Sequence, residues 1–255
     1  MMTLQEVLGQ LTAHSKSLHE IGVMANELSI GVDGRLVVRG DALCLGPEAR
    51  AALARFVRIP ATGFDALDEE ERSFLFNRRF PRLVPSSERL MIRAKDKTAT
   101  AVVSADALRP SSAEVLNVVL EEAPGDAASH RADWRVDRFK LNGHLELSLT
   151  SARLAIEPRV GDIVQAGVRI EHSETQRSAT VLATALYRLV CSNGAIVEAC
   201  RASRTVDFKG AERSDTRSAA LAAIRSRAKE VWRNAKENLK ALKSAAETPI
   251  ENPRQ

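Results

Sequence analysis

The chain contains no run of about eighteen uncharged apolar residues, so no segment is expected to cross a membrane as a helix. Its first eighteen residues carry polar side chains throughout and lack an apolar signal core, which argues against export. Cysteine is scarce: Cys44, Cys191 and Cys200 are odd in number and far apart. That excludes a disulfide framework and suits buried free thiols in a reducing cytoplasm. Aromatic residues make up only 4% of the chain, with one tyrosine and two tryptophans, so extensive stacking on nucleic-acid bases is excluded. H-E-x-x-H, C-x-x-C, G-x-S-x-G and P-loop sequences are all missing, so no standard hydrolase, zinc or nucleotide site is written in the chain. No cofactor, no resident metal and no catalysis are expected.

What is present is ordinary globular material. The hydrophobic fraction is 44% and the charged fraction 27%, enough for a real core in 255 residues. The formal net charge is +4. That is a weak pointer to an anionic partner unless the excess is concentrated.

Hydrophobic periodicity organises the chain. Leu4, Val7, Leu8, Leu11 and Leu18 predict an opening helix. Strands at 28–32 and 35–38 flank the turn pair Asp33-Gly34. Helices follow at Pro47–Val57 and Asp68–Phe80, the first stopped at Ile59-Pro60. A hairpin over 90–104 turns at Lys95-Asp96-Lys97. Ser111 and Glu114 form a capping box for a helix to about Glu121. Beyond the loop at Pro124-Gly125-Asp126, strands at 134–140, 144–150, 163–172, 181–191 and 196–208 predict an antiparallel meander, with Asn142-Gly143 and Ser192-Asn193-Gly194 as turns. The fold class is therefore α+β, an antiparallel sheet with N-terminal helices and a long C-terminal amphipathic helix. The expected regions are an N-terminal α/β part (1–123), an antiparallel β core (124–210), a basic helix (211–247) and a disordered tail (248–255), together forming one compact domain.

The terminal helix holds the charge. Leu221, Ile224, Ala228, Val231, Trp232, Ala235, Leu239 and Leu242 share one stripe at 100° per residue. Arg225, Lys229, Arg233, Lys236, Lys240 and Lys243 share the adjacent one. Nine bases between Arg213 and Lys243 face three acids, an excess greater than that of the whole chain. Like charges at i,i+4 repel. An anionic partner would relieve that repulsion, although a solvated helix face is the simpler explanation of such a stripe.

Other short signals are weaker. His144-Leu145-Glu146 and His172-Ser173-Glu174 echo half of a zinc deaminase signature, but its P-C-x-x-C half is missing. Asp207-Phe208-Lys209 resembles the end of a Mg²⁺-dependent nuclease motif, with Asp162 or Glu198 as the other acid. Arg188 alternates with apolar neighbours and needs either an internal acid or a phosphate.

Taken in order, several segments resemble the phage/plasmid-like protein family, a domain of unknown function carried by mobile elements (family nine-three-two of that class). They are Leu43–Phe80, Met91-Ile92-Arg93, Ala101–Asp106, Gly161-Asp162 through Gly167-Val168, His172-Ser173-Glu174 and Tyr187-Arg188-Leu189-Val190-Cys191-Ser192-Asn193-Gly194. Arg58 replaces the family's glycine before Ile59-Pro60, and Ala105 and Ala107 break its S-D-R-Y-R run. Hairpins followed by a basic helix are also similar, more distantly, to single-strand annealing recombinases of the RecT and Redβ kind. The resemblance implies a cytoplasmic mobile-element protein without assigning a reaction.

The expectation is a non-catalytic protein that holds single-stranded DNA and anneals it during recombination. Phosphates would meet Arg225, Lys229, Arg233, Lys236 and Lys240, extended by Arg201, Arg204 and Arg188, with Trp232 offered to a base. Annealing proteins work as rings or filaments, so a homo-oligomer is expected. The alternatives are an interaction protein that docks through the helix's apolar stripe, and the metal-dependent nuclease.

Overall fold

The structure is a computed structural model describing residues 2–105, 110–141, 144–174, 179–189, 196–206 and 216–248. It contains two sheets, each over its own buried cluster.

Helix α1 (Leu4–Ser17) starts at a capping box between Thr3 and Glu6. The chain then builds a six-stranded sheet from β1 (His19–Met24), β2 (Leu28–Ile30), β3 (Leu36–Val38), β4 (Asp41–Leu45), β5 (Arg89–Lys95) and β6 (Thr98–Ser104), ordered β1-β5-β6-β4-β3-β2. β4 and β6 pair in parallel, so this sheet is mixed, whereas the sequence suggested antiparallel strands alone. Helices α2 (Pro47–Phe56), α3 (Ala61–Ala66) and α4 (Glu69–Leu83) supply the rest of this lobe. Phe64, Phe76 and Phe80 are almost wholly buried within it, the last two stacked at 4.6 Å. Ser73 and Asn77 tie α4 to the end of β2 through the Ile30 backbone.

The second lobe is the expected meander. α5 (Ser112–Glu121) precedes β7 (Trp134–Leu141), β8 (Leu145–Arg159), β9 (Asp162–His172), β10 (Val181–Leu189) and β11 (Ile196–Thr205), each antiparallel to the next. β8 runs nine residues past the predicted strand end at Thr150, forming a long arm with β9 whose tip, Val160, is fully exposed. Leu145, Leu147 and Leu149 alternate onto the face shared with Val168, Ile170 and Leu182. Across that face lies α6 (Thr216–Glu247).

α1 belongs to this second cluster, burying Leu4, Val7 and Leu11 beside Leu116, Val119 and Trp134. The buried clusters thus divide the chain differently from the loop at Pro124: α1 and α5 precede that loop but pack on the C-terminal sheet. The amphipathic pattern of α1 reports that it is half buried; it carries no information about which sheet receives it.

Candidate nucleic-acid interface

α6 is docked, not projecting, over most of its length. Ala220, Ile224, Ala228, Val231, Trp232, Ala235 and Leu239 are all buried. The Thr184 hydroxyl donates to the Val231 carbonyl at 2.8 Å, fixing the helix across β10. The predicted apolar stripe is therefore consumed by the protein's own sheet, which removes the surface that the interaction-protein reading required. Only Leu242, 38% exposed, lies beyond the sheet's cover.

Trp232 is corrected as a stacking platform. It is 2% exposed, lies edge-on to Trp134, and donates its indole N–H to the Val119 carbonyl at 2.8 Å. It sits on the stripe's edge in sequence, but α5 covers that edge.

The cationic stripe divides into two halves with different surroundings. In the N-terminal half the bases meet acids from α5. Arg217 grips Glu114 with two hydrogen bonds, of 3.0 and 2.7 Å. Arg225 reaches Glu121 at 2.7 Å and Glu122 at 3.0 Å, and Lys229 lies 3.9 Å from Glu122. Arg225 and Lys229 are thus corrected from free phosphate ligands to members of a helix-helix ion-pair network. Burial would push the Glu114 carboxyl up, but the Arg217 guanidinium and the Ser111 N–H and hydroxyl together hold it below the ordinary carboxylate range.

α5 ends at Glu121, and beyond that point α6's own Glu237 is the acid beside the stripe among the described residues, without coming within ion-pair distance of its bases. Arg233, Lys236, Lys240 and Lys243 are all exposed. None of them has a carboxylate within 4.0 Å among the described residues. They form a row about 15 Å long, at 1.5 Å rise per residue. The helix dipole does not account for them, because its effect fades outside the terminal turn and the last turn of α6 holds no base.

Arg188 has found an internal acid. Its guanidinium binds both oxygens of Asp162, at 2.7 and 3.0 Å, while staying more than half exposed. This takes Arg188 out of the phosphate-binding set and occupies Asp162, one of the two acids that the nuclease reading offered alongside Asp207. The side chains of Arg201, Arg204, Glu198 and Cys200 lie outside the described residues, as do Cys191, Ser192-Asn193-Gly194 and Asp207-Phe208-Lys209. Cys44 is exposed, contrary to the expectation of a buried thiol; it sits on a strand with only one buried position.

The two H-x-E echoes do not assemble a zinc site. His172 is wholly buried with both ring nitrogens engaged, one with the Thr180 hydroxyl at 2.8 Å and the other with the Pro110 carbonyl at 2.9 Å. Glu174 accepts from the Ser112 N–H at 2.6 Å, where α5 begins. Glu146 pairs with Arg138. No cluster of three or more His, Cys, Asp or Glu suited to a metal exists among the described residues.

One charged residue escaped the sequence reading as a site. Arg93 is 3% exposed and joins the two lobes, donating to the Glu174 carbonyl at 2.7 Å while pairing with Glu20 at 3.0 Å. The signal was present as a lone Arg between Ile92 and Ala94, but its partners lie far away along the chain. Among the described residues, no helix is long and apolar enough to cross a membrane. Comparison with known proteins finds no matching family model, no similar curated protein and no similar solved structure.

Proposed function

We propose that the protein binds nucleic acid without catalysis, through the sugar-phosphate backbone, along the exposed C-terminal half of α6. The observation that carries this reading is the row Arg233, Lys236, Lys240 and Lys243, exposed and without a facing carboxylate among the described residues. The same helix pairs Arg217, Arg225 and Lys229 with acids at Glu114, Glu121 and Glu122 and Arg227 with its own Glu230, so the chain has the means to balance this charge and does not use it here. A rigid, docked helix also presents the four cations at fixed spacing, which lowers the ordering cost of binding a polyanion. With Trp232 buried, contact falls on phosphates and not on bases, so weak sequence preference is expected.

Single-stranded DNA is the favoured substrate, in the sense of the annealing function expected from the sequence, and duplex DNA is the comparison arm. The test is fluorescence anisotropy of labelled oligonucleotides of both kinds across a salt series. Binding at low salt that weakens steeply as salt rises supports the reading. Absence of binding at low salt, or binding that Lys236→Gln with Lys240→Gln leaves unchanged, refutes it.

A further inference from the structure

Between the lobes lies a cavity of about 360 Å³ that the nucleic-acid reading does not use. Its walls come from both sides. Leu18 and Leu141 belong to the second lobe's side, while Pro47, Thr98 and Thr100 belong to the first. Volumes of this size, apolar walls with a few polar groups, and a position at a junction between lobes are the usual marks of a small-molecule site.

The charges on the lining indicate which molecule. Arg93 is committed to Glu20 and Glu174, and Glu174 is committed to Arg93 and the start of α5. Glu48 has a partner of its own. Lys95 is the remaining charged side chain of the lining; it is exposed and has no carboxylate within 4.0 Å among the described residues. Lys95 is thus the charged side chain of the lining left open to a ligand among the described residues, beside apolar walls, with the His14 ring on the same lining. We infer that this cleft binds a small organic anion, its apolar body between Leu18, Pro47 and Leu141 and its acidic group at Lys95. Arg93 is the structural floor of the site, holding the lobes at the separation that leaves the cavity open.

The probe is anilinonaphthalene sulfonate, an apolar ring system bearing one anionic group, titrated against the full chain and followed by its fluorescence. Saturable binding to the wild type is expected. Lys95→Glu should weaken it about three- to tenfold, the scale of an exposed ion pair lost and then reversed. Thr98→Trp, which fills the cavity, should weaken it by at least about tenfold. Lys236→Gln should leave it unchanged, which keeps this site separate from the α6 surface. Dye binding that both cleft variants leave intact overturns the proposal. So does dye fluorescence that appears only with loss of near-ultraviolet circular dichroism, because a loosened core takes up the same dye. Lys95 lies on the surface, so its variant keeps the test decisive if Thr98→Trp fails to fold.

Discussion

The indole N–H of Trp232 donates to the main-chain carbonyl of Val119, joining α6 to α5 across 113 residues of sequence. The bond turns what looked like an edge-of-stripe aromatic into the keystone of the helix pair. Trp232→Ala should cost about 3–5 kcal/mol, the range for removing a large buried aromatic. Trp232→Phe keeps most of the volume and strands the Val119 carbonyl, so about 1–3 kcal/mol is expected. Urea unfolding followed by circular dichroism measures both. Folded Trp232→Phe protein should bind oligonucleotides as the wild type does; weaker binding would restore the tryptophan to the interface.

The division of the cationic stripe makes a second prediction. Lys236→Gln and Lys240→Gln should each lower the salt slope of single-strand binding by about 0.7. Arg225→Gln should leave that slope unchanged, because Arg225 already faces Glu121 and Glu122. It should instead lower stability by about 0.5–1 kcal/mol, since its ion pairs are roughly half exposed. An Arg225→Gln slope reduced as much as that of Lys236→Gln would mean that the α5 acids yield to phosphate.

Much of the second lobe was legible in the sequence, and the reasons are local. The meander announced itself because apolar and polar residues alternate along 134–150, placing Leu145, Leu147 and Leu149 on one core-facing side, with Ser148 and Thr150 buried on the other. The capping box at Ser111 acts over four residues and is present as read; a second one, at Asp68, was not read. Strands β1 and β4 were not seen, because each buries a single residue and shows no alternation. The arm of β8 was missed because no residue beyond Ser151 is buried, so it carries no core-facing pattern; Pro158 lies near its end, where the register with β9 shifts. The site was half legible. Spacing placed six cations on one stripe, but only the tertiary position of α5 decides which of them are already paired. Gly167 and Tyr187, far apart in sequence, show the same limit: a Cβ on Gly167 would strike the Leu149 carbonyl and the Tyr187 ring, a constraint that strand pairing alone creates.

Acid should act on the protein through Glu114. Its carboxyl is held low in the folded state, so it contributes stability that is complete above the ordinary carboxylate range and is lost as pH falls through its depressed folded value. Glu114→Gln should therefore be less stable than wild type at neutral pH, and the difference should shrink toward the acid end. Asp137 behaves oppositely. Burial raises its carboxyl despite the Thr150 hydroxyl and Arg135, so its ionised form costs stability at neutral pH and that cost disappears as pH falls. Asp137→Asn should be more stable than wild type at neutral pH and equal to it in acid. Thermal melts across pH decide both, and parallel curves for either variant would contradict the assignment.

The β5–β6 turn supplies a test of the backbone alone. Asp96 and Lys97 both have positive φ, 48° and 61°, as a two-residue hairpin loop between antiparallel strands requires. Asparagine, aspartate and glycine take this conformation readily, so Asp96 suits its place and Lys97 does not. A left-handed residue with a side chain costs about 1–2 kcal/mol. Replacing it by glycine relieves that cost but frees the unfolded chain, which returns about 0.4–1 kcal/mol. Lys97→Gly should thus raise stability by about 0.5–1 kcal/mol, the difference between these terms. Lys97→Val, β-branched and poorly suited to positive φ, should lower it. The order Gly above Lys above Val in urea midpoint is the expected result. The reverse order would show that the turn opens in solution and that the β5–β6 register is held by the strands instead.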